Sequence, residues 1–335
     1  FMGGPPVADV KAARMIEVPM ADDGQRLDRW LKKSVPELPF ALAQKLIRKG
    51  AIRIDGKKAK GDSRLSAGQQ IRIPPVEDKP EREKEVKDLS ADDAEFIRSI
   101  ILYDDGDVIA FNKPAGLASQ GGGGVEWHID SYFPALADEY GQIPRLIHRL
   151  DRDTSGVLLC ARTAQSVRQL GKSFKDRHAR KIYWAITVNA PVQNEGTIRA
   201  NISKPEGPHK DRMVIDDEGQ TAVTDFVVLE RAGKHAALVA FWPRTGRTHQ
   251  IRVHAADVLK CPVMGDEKYG GAGAWLAGMD GLSERLHLHA RQLTVRHPAT
   301  GKDLVLIAPL PDDLRDSWDA FSFDPGSRID PFAEI

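Results

Sequence analysis

Apolar positions follow two rhythms along the chain, and the change between them divides it. Residues 26–31 and 41–49 carry apolar side chains at helical spacing; Leu42, Leu46 and Ile47 share one face of the second, and Gly50 is placed to stop it. Residues 51–54 then alternate as a strand and turn at Asp55-Gly56, a strong hairpin signal, while 70–73 form a second strand halted by Pro74-Pro75. Past residue 95 β-type segments dominate: 108–111, 157–160, 181–188, 221–229, 236–242, and a closing hairpin of 286–295 with 304–307. Helical spacing returns over 163–176, with Val167, Leu170 and Phe174 inward, and over 248–259. Many strands with few helices between them predict an α+β fold built on a large mixed or antiparallel sheet, with a small α+β domain before it. A doubly wound parallel sheet is excluded by the same pattern.

Composition sharpens the boundaries. Residues 1–16 are rich in Gly, Pro and Ala and are expected to be disordered, and 17–76 to form the small domain. Residues 77–95 read as a charged linker, 96–311 as the large domain, and 312–335 as an acidic tail able to pack back through Trp318, Phe321 and Phe323. The formal net charge of zero conceals segregation. Residues 26–72 hold 13 Lys and Arg against 4 Asp and Glu, whereas 77–95 hold 9 acidic against 4 basic and 311–335 hold 7 against 2. A basic block confined to one small domain is the electrostatic footprint of a nucleic-acid contact, with Arg29, Lys45, Arg48 and Lys49 as the candidate phosphate ligands.

Other classes are set aside. No apolar run approaches the roughly 18 residues of a membrane span, and no signal-type segment opens the chain. Cys160 and Cys261 sit in apolar contexts without metal spacing, so the expected setting is a reducing cytoplasm. His249, His254, His287 and His289 lack zinc-site spacing, and Ser155 has no hydrolase elbow around it. Gly121–Gly124 lacks the Lys-Ser/Thr of a phosphate loop. No metal or cofactor is expected.

The richest chemistry lies in His148-Arg149-Leu150-Asp151-Arg152-Asp153-Thr154-Ser155-Gly156. A carboxylate stands between two arginines, ahead of a hydroxyl-rich turn, with apolar strand segments on both sides. A charged turn between core strands is costly unless it faces a cleft. Asp153 is read as a turn cap rather than as half of a carboxylate pair.

This segment resembles, nearly letter for letter, the catalytic motif of the RluA-type pseudouridine synthases. Three more segments resemble that family in order: Lys113-Pro114-Ala115-Gly116, Lys181-Ile182-Tyr183-Trp184-Ala185, and Arg244-Thr245-Gly246-Arg247-Thr248-His249-Gln250-Ile251-Arg252. The small domain is similar to S4-type RNA-binding domains in its order of elements. The resemblance implies a cofactor-independent enzyme that isomerises uridine to pseudouridine in structured RNA. It implies Asp151 as the catalytic carboxylate, acting as nucleophile or as base, Arg247 as its ion partner, and Tyr183 as the aromatic face for the uracil. Arg149 would fill the gap of a flipped base. Lys181, Lys113 and Arg252 join it as expected substrate or RNA contacts. The RluC/RluD branch, acting on large-subunit ribosomal RNA, is the closest in pattern, with RluC the nearer. A transfer-RNA or dual-specificity synthase, or a catalytically silent RNA-binding assembly factor, are the alternatives; the intact set Asp151, Tyr183 and Arg247 argues against the last. No membrane and no obligate protein partner are implied.

Overall fold

Helical and strand rhythms become two separate units in the computed structural model, spanning 1–88 and 89–335. It describes residues 13–75, 89–121, 127–205, 212–276, 278–279, 281–326 and 330–332. Most of the expected N-terminal disorder (1–12) and linker (77–88) therefore lies outside the described residues.

In the first unit, β1 (Arg14–Glu17), β2 (Arg53–Ile54), β3 (Lys57–Lys58) and β4 (Gln70–Ile73) form an antiparallel sheet ordered β1-β4-β2-β3. Helices α1 (Leu27–Ser34) and α2 (Phe40–Arg48) pack on it. Leu27, Trp30 and Leu31 occupy one α1 face at i, i+3 and i+4 and are fully buried with Ile47, Ile52, Leu65 and Ile71. Asp55 and Gly56 both have positive φ, 48° and 77°, which closes the β2–β3 turn in the hand that matches strand twist. Residues 14–16 correct the expectation of disorder: they pair with β4, Ile16 opposite Ile71, because β4 offers an open edge to an alternating half-buried segment. Arg29, Lys45, Arg48 and Lys49 are all exposed.

The second unit opens with α3 (Ala91–Ser99), whose first residues fall inside the stretch expected to be linker. Ser90 and Asp93 cap each other's backbone amides, so a charged composition conceals a helix start. The sheet contains β5 (Ile101–Asp104), β6 (Val108–Lys113), β7 (Arg145–Leu146), β8 (Ser155–Ala161), β9 (Arg180–Val188), β10 (Glu195–Ser203), β11 (Val214–Ile215), β12 (Gln220–Ala232), β13 (Ala236–Pro243), β14 (Leu288–Arg296) and β15 (Asp303–Ile307). Its main path runs β11-β10-β12-β13-β9-β14-β8-β6-β5, with β15 on β14 and β7 on β8. The β14–β8 pair is parallel and the others are antiparallel, so the sheet is mixed as expected.

Helix α4 (Ala164–Lys175) covers β8, with Leu170 buried. Residues 248–259 do not form one regular helix. Gln250–Val253 is a single turn, α5, that widens into a π-helix over His254–Val258, a departure common near functional sites. A second short helix, α6 (Glu267–Gly270), follows. The acidic tail is largely structured. Its residues Asp312–Ala320 form helix α7, which buries Leu314 and Trp318, and with Phe323 and Phe332 they pack against Ile182, Trp184 and Ile186 of β9. The alternate β9 side chains, Lys181 and Tyr183, are thereby turned to the other face. Among the described residues, no helix is long and apolar enough to cross a membrane.

Candidate active site

The loop before β8 is held by one turn bond of its own and by residues that the sequence places elsewhere. Thr154 N–H donates to Asp151 O at 3.2 Å, closing the turn. Ser119 Oγ donates to Leu150 O at 2.8 Å and accepts from Leu150 N–H at 3.0 Å. Arg152 Nε donates to Gly116 O at 2.9 Å. Gly156 has φ 114° where β8 crosses β14, and a Cβ there would lie 2.2 Å from Ala290 O, so only glycine fits.

Lys113 completes the stitching. The expectation that it contacts RNA is corrected: the side chain is fully buried, and Nζ donates to Pro114 O, Leu117 O and Arg152 O at 2.8, 2.7 and 3.1 Å. Burial pushes its pKa down to about 7, against the raising effect of Asp153 and Asp151. Its task here is to hold the 114–117 turn against the 152 backbone.

The loop opens on a cleft of about 540 Å³ lined by Arg149, Asp151, Lys181, Tyr183, Arg247 and His249, among others. Arg149 is exposed, while Asp151 and Tyr183 are half-buried. Burial, reinforced by the charge of Asp151, pushes the Tyr183 phenol well up, so it stays protonated. Lys181 is lowered by burial and stands 5.9 Å from the Phe174 ring centroid. On its other side Phe174 stacks on His148, whose Nε2 accepts Leu159 N–H at 3.0 Å. Burial holds that imidazole at a pKa of about 3, hence neutral.

Two expected cations behave differently from the sequence reading. Arg252 is 6% exposed and bound by Nε at 2.7 Å and Nη2 at 2.6 Å to Asp266, so it is a fixed charge in the cleft wall rather than an exposed cation like Arg149. Arg247 donates from Nε to Thr221 O at 3.2 Å, and among the described residues no ion pair joins it to Asp151. The charge of Asp151 acts instead on Lys113, His249 and Arg252, raising the pKa of each. The Arg247 loop is itself set by Gln250, whose Oε1 accepts from Arg247 N–H and Thr245 Oγ while Nε2 donates to Val223 O and Thr224 Oγ1. Thr245 and Gln250 were visible in the motif, but nothing in their spacing announced this role. The remaining histidines have separate partners: His254 with Thr224, His287 with Ser317 and His289 with Ser155.

Residues 107–257 match the family model of RNA pseudouridylate synthases, and residues 25–71 that of the S4 domain. A Rickettsia felis protein, "Ribosomal large subunit pseudouridine synthase C", is 34% identical over 298 residues, covering 88% of this chain and 95% of its own. The chain belongs to the RNA pseudouridine synthase family. An Escherichia coli O157:H7 protein of the same name is 33% identical to the synthase over 317 residues, 92% of this chain and 96% of its own. Among solved structures, Human RNA Pseudouridylate Synthase Domain Containing 4 matches with TM-score 0.58 and 30% identity over 69% of this chain and 97% of that one. The synthase therefore couples an S4 domain to an α+β catalytic fold, and its reaction is the isomerisation of uridine in RNA to pseudouridine.

Proposed function

We propose that the enzyme modifies uridines of large-subunit ribosomal RNA in the cytoplasm, with Asp151 as the acting carboxylate, Tyr183 as the aromatic face against the uracil and Arg247 as the cation that meets Asp151 when RNA is bound. Residues 17–76 would bind the RNA and 96–311 carry out the chemistry. In the reaction the N1–C1′ bond breaks, a C5–C1′ bond forms, C5 loses a proton and N1 gains one. Atoms and electrons balance without a redox partner or ATP. Asp151 serves either by attacking C1′ or by taking a proton from the sugar, and both routes require it ionised.

The observation that carries this reading is the placement of that carboxylate. Among the described residues Asp151 has no ion-pair partner, yet it acts electrostatically on Lys113 and Arg252, both bound elsewhere. A carboxylate that lines the cleft without an ion-pair partner is free to meet the substrate. Arg149, exposed at the cleft, has the planar cation suited to the space left by a flipped base. The ribosomal substrate is supported by the names of the curated relatives and by the exposed basic residues of the S4 domain.

The test is to incubate a large-subunit ribosomal RNA transcript with the enzyme, no cofactor added, and to map pseudouridine beside Asp151→Ala. Pseudouridine from the wild type alone is the expected result. Modification of transfer RNA but not of ribosomal RNA would replace the substrate, and an active Asp151→Ala would overturn the assignment of the carboxylate.

A further inference from the structure

Among the described residues, His249 is the only non-glycine of the cleft lining with a left-handed backbone, φ 53° and ψ 21°. Such a conformation persists only where its surroundings enforce it, and it often marks a functional position. Here the enforcement comes from behind the ring. His249 Nδ1 lies 2.7 Å from Tyr269 Oη, and that oxygen also accepts Met213 N–H at 2.9 Å. Tyr269 is 8% exposed and meets the imidazole edge-on, 5.5 Å between centroids, with the guanidinium carbons of Arg252 and Arg212 5.0 and 5.2 Å from its ring centre.

Proton accounting then selects the tautomer. Burial raises the Tyr269 pKa, so the phenol keeps its hydrogen. Its oxygen accepts from Met213, and the acceptor for its hydrogen among the described residues is His249 Nδ1. A neutral imidazole that accepts at Nδ1 carries its own proton on Nε2. The groups around the ring favour neutrality: burial, Arg252 and Lys268 lower its pKa, opposed by Asp151 and Asp266, and the net direction is down. Nε2 has no hydrogen-bond partner among the described residues, in a side chain that lines the Asp151 cleft.

We infer that His249 is a catalytic hydrogen-bond donor of this synthase, its Nε2–H binding a carbonyl oxygen of the uracil as the ring detaches, and that Tyr269 is the positioning residue that holds it in that tautomer. The inference rests on the reading of this cleft as the place where Asp151 acts. When the N1–C1′ bond breaks, its electron pair leaves with the base, and negative charge spreads over N1 and the two carbonyl oxygens. A fixed donor aimed at such an oxygen binds the transition state more strongly than the substrate. Neutrality matters for a second reason. An imidazolium at this position would pair with Asp151 and remove the carboxylate from the reaction. Tyr269 guards against both failures by occupying the nitrogen that would otherwise take a proton.

The experiment is single-turnover kinetics of the full chain, over pH about 5.5 to 8.5, on an RNA that the wild type has been shown to modify. That choice keeps a wrong substrate assignment separate from a wrong assignment of His249. His249→Ala should slow pseudouridine formation roughly 100-fold, as loss of a transition-state donor does, with RNA affinity unchanged. His249→Gln, which restores an N–H at similar reach, should recover roughly tenfold of that loss. Tyr269→Phe should move the acid limb of the rate profile to higher pH, because Nδ1 becomes free to protonate. The inference is overturned if His249→Ala stays within about threefold of the wild type, if His249→Gln is as slow as His249→Ala, or if the Tyr269→Phe profile superimposes on that of the wild type.

Discussion

Replacing Asp266 with Asn isolates one buried charge. The carboxylate is 1% exposed and the Arg252 guanidinium 6%, joined by two hydrogen bonds of 2.6 and 2.7 Å. Asn keeps the shape and can still cap α6, where Asp266 accepts Tyr269 N–H at 3.2 Å. What disappears is the counter-charge of a buried cation, a change that costs about 3–5 kcal/mol. In a unit of this size each kcal/mol shifts the midpoint by about 2–4 °C, so the catalytic unit should melt roughly 6–20 °C lower. Activity should fall as well, for a separate reason. Arg252 already senses Asp151, and with Asp266 neutral that carboxylate becomes its strongest counter-charge. Pairing would engage the Asp151 carboxylate with protein. Melting followed by circular dichroism, with single-turnover pseudouridine formation at a temperature where the variant is folded, separates the two effects. The double variant Arg252→Met/Asp266→Leu should regain stability to within about 2 kcal/mol, since apolar replacement of a buried pair is often neutral, but should remain slow. A midpoint within about 2 °C of wild type for Asp266→Asn, or full turnover in the double variant, would refute this account of the pair.

Two further outcomes follow from the same charges. The folded pKa of Lys113, about 7, lies below its ordinary 10.5, so between those values the unfolded chain holds the proton that the folded chain has lost. Stability should therefore rise with pH across that window, by about 2 kcal/mol from pH 7 to 9, and urea unfolding of Lys113→Met should show this increment gone. On the first unit, Lys45, Arg48 and Lys49 are exposed on or beside α2. Changing all three to Ala should leave the melting curve intact and weaken RNA binding. It should also flatten the plot of log affinity against log salt by about 2–3 units; an unchanged slope would mean these side chains touch no phosphate.

What the sequence made legible was a set of side chains that meet in one cleft; what it hid was which of them are bound to protein. The alternation of Lys181 and Tyr183 on one strand, and the turn before the all-buried strand at Ser155–Ala161, place Asp151, Tyr183, Lys181 and Arg247 around one cleft. Lys113 and Arg252 were misread because a cation in a motif looks the same whether it meets a phosphate or a carbonyl. Burial is a long-range property: Lys113 is enclosed by backbone 39 residues away, and Arg252 by a carboxylate 14 residues away. Strand β10 escaped notice because its outward positions are polar or charged, including Glu195 and Arg199, and only Ile198 and Ile202 are buried. Helix α3 escaped because a charged run was taken at face value, although Ser90 and Asp93 carry the spacing of a capping box. The strain at His249 had no sequence signal at all, since histidine gives no warning of a positive φ.

These misreadings point to one principle of the site. Its positive charges fall into two classes, and the division is set by what each cation is bound to. Lys113 is held by three backbone oxygens and Arg252 by both oxygens of Asp266, so neither side chain is free to swing onto Asp151, whose charge nonetheless acts on both. Arg149 is exposed and, among the described residues, Arg247 spends a single side-chain bond on Thr221 O, which leaves their remaining donors open when RNA arrives. A field from immobile charges costs no reorganisation when the substrate arrives. The distinction can be measured. Removing a protein-bound cation should lower the rate of the chemical step with RNA affinity held, and removing Arg149 should weaken binding before it slows chemistry. If Arg252→Met instead lost RNA affinity while its chemical step ran at the wild-type rate, the two classes would not exist and the field on Asp151 would have to come from the RNA-facing arginines.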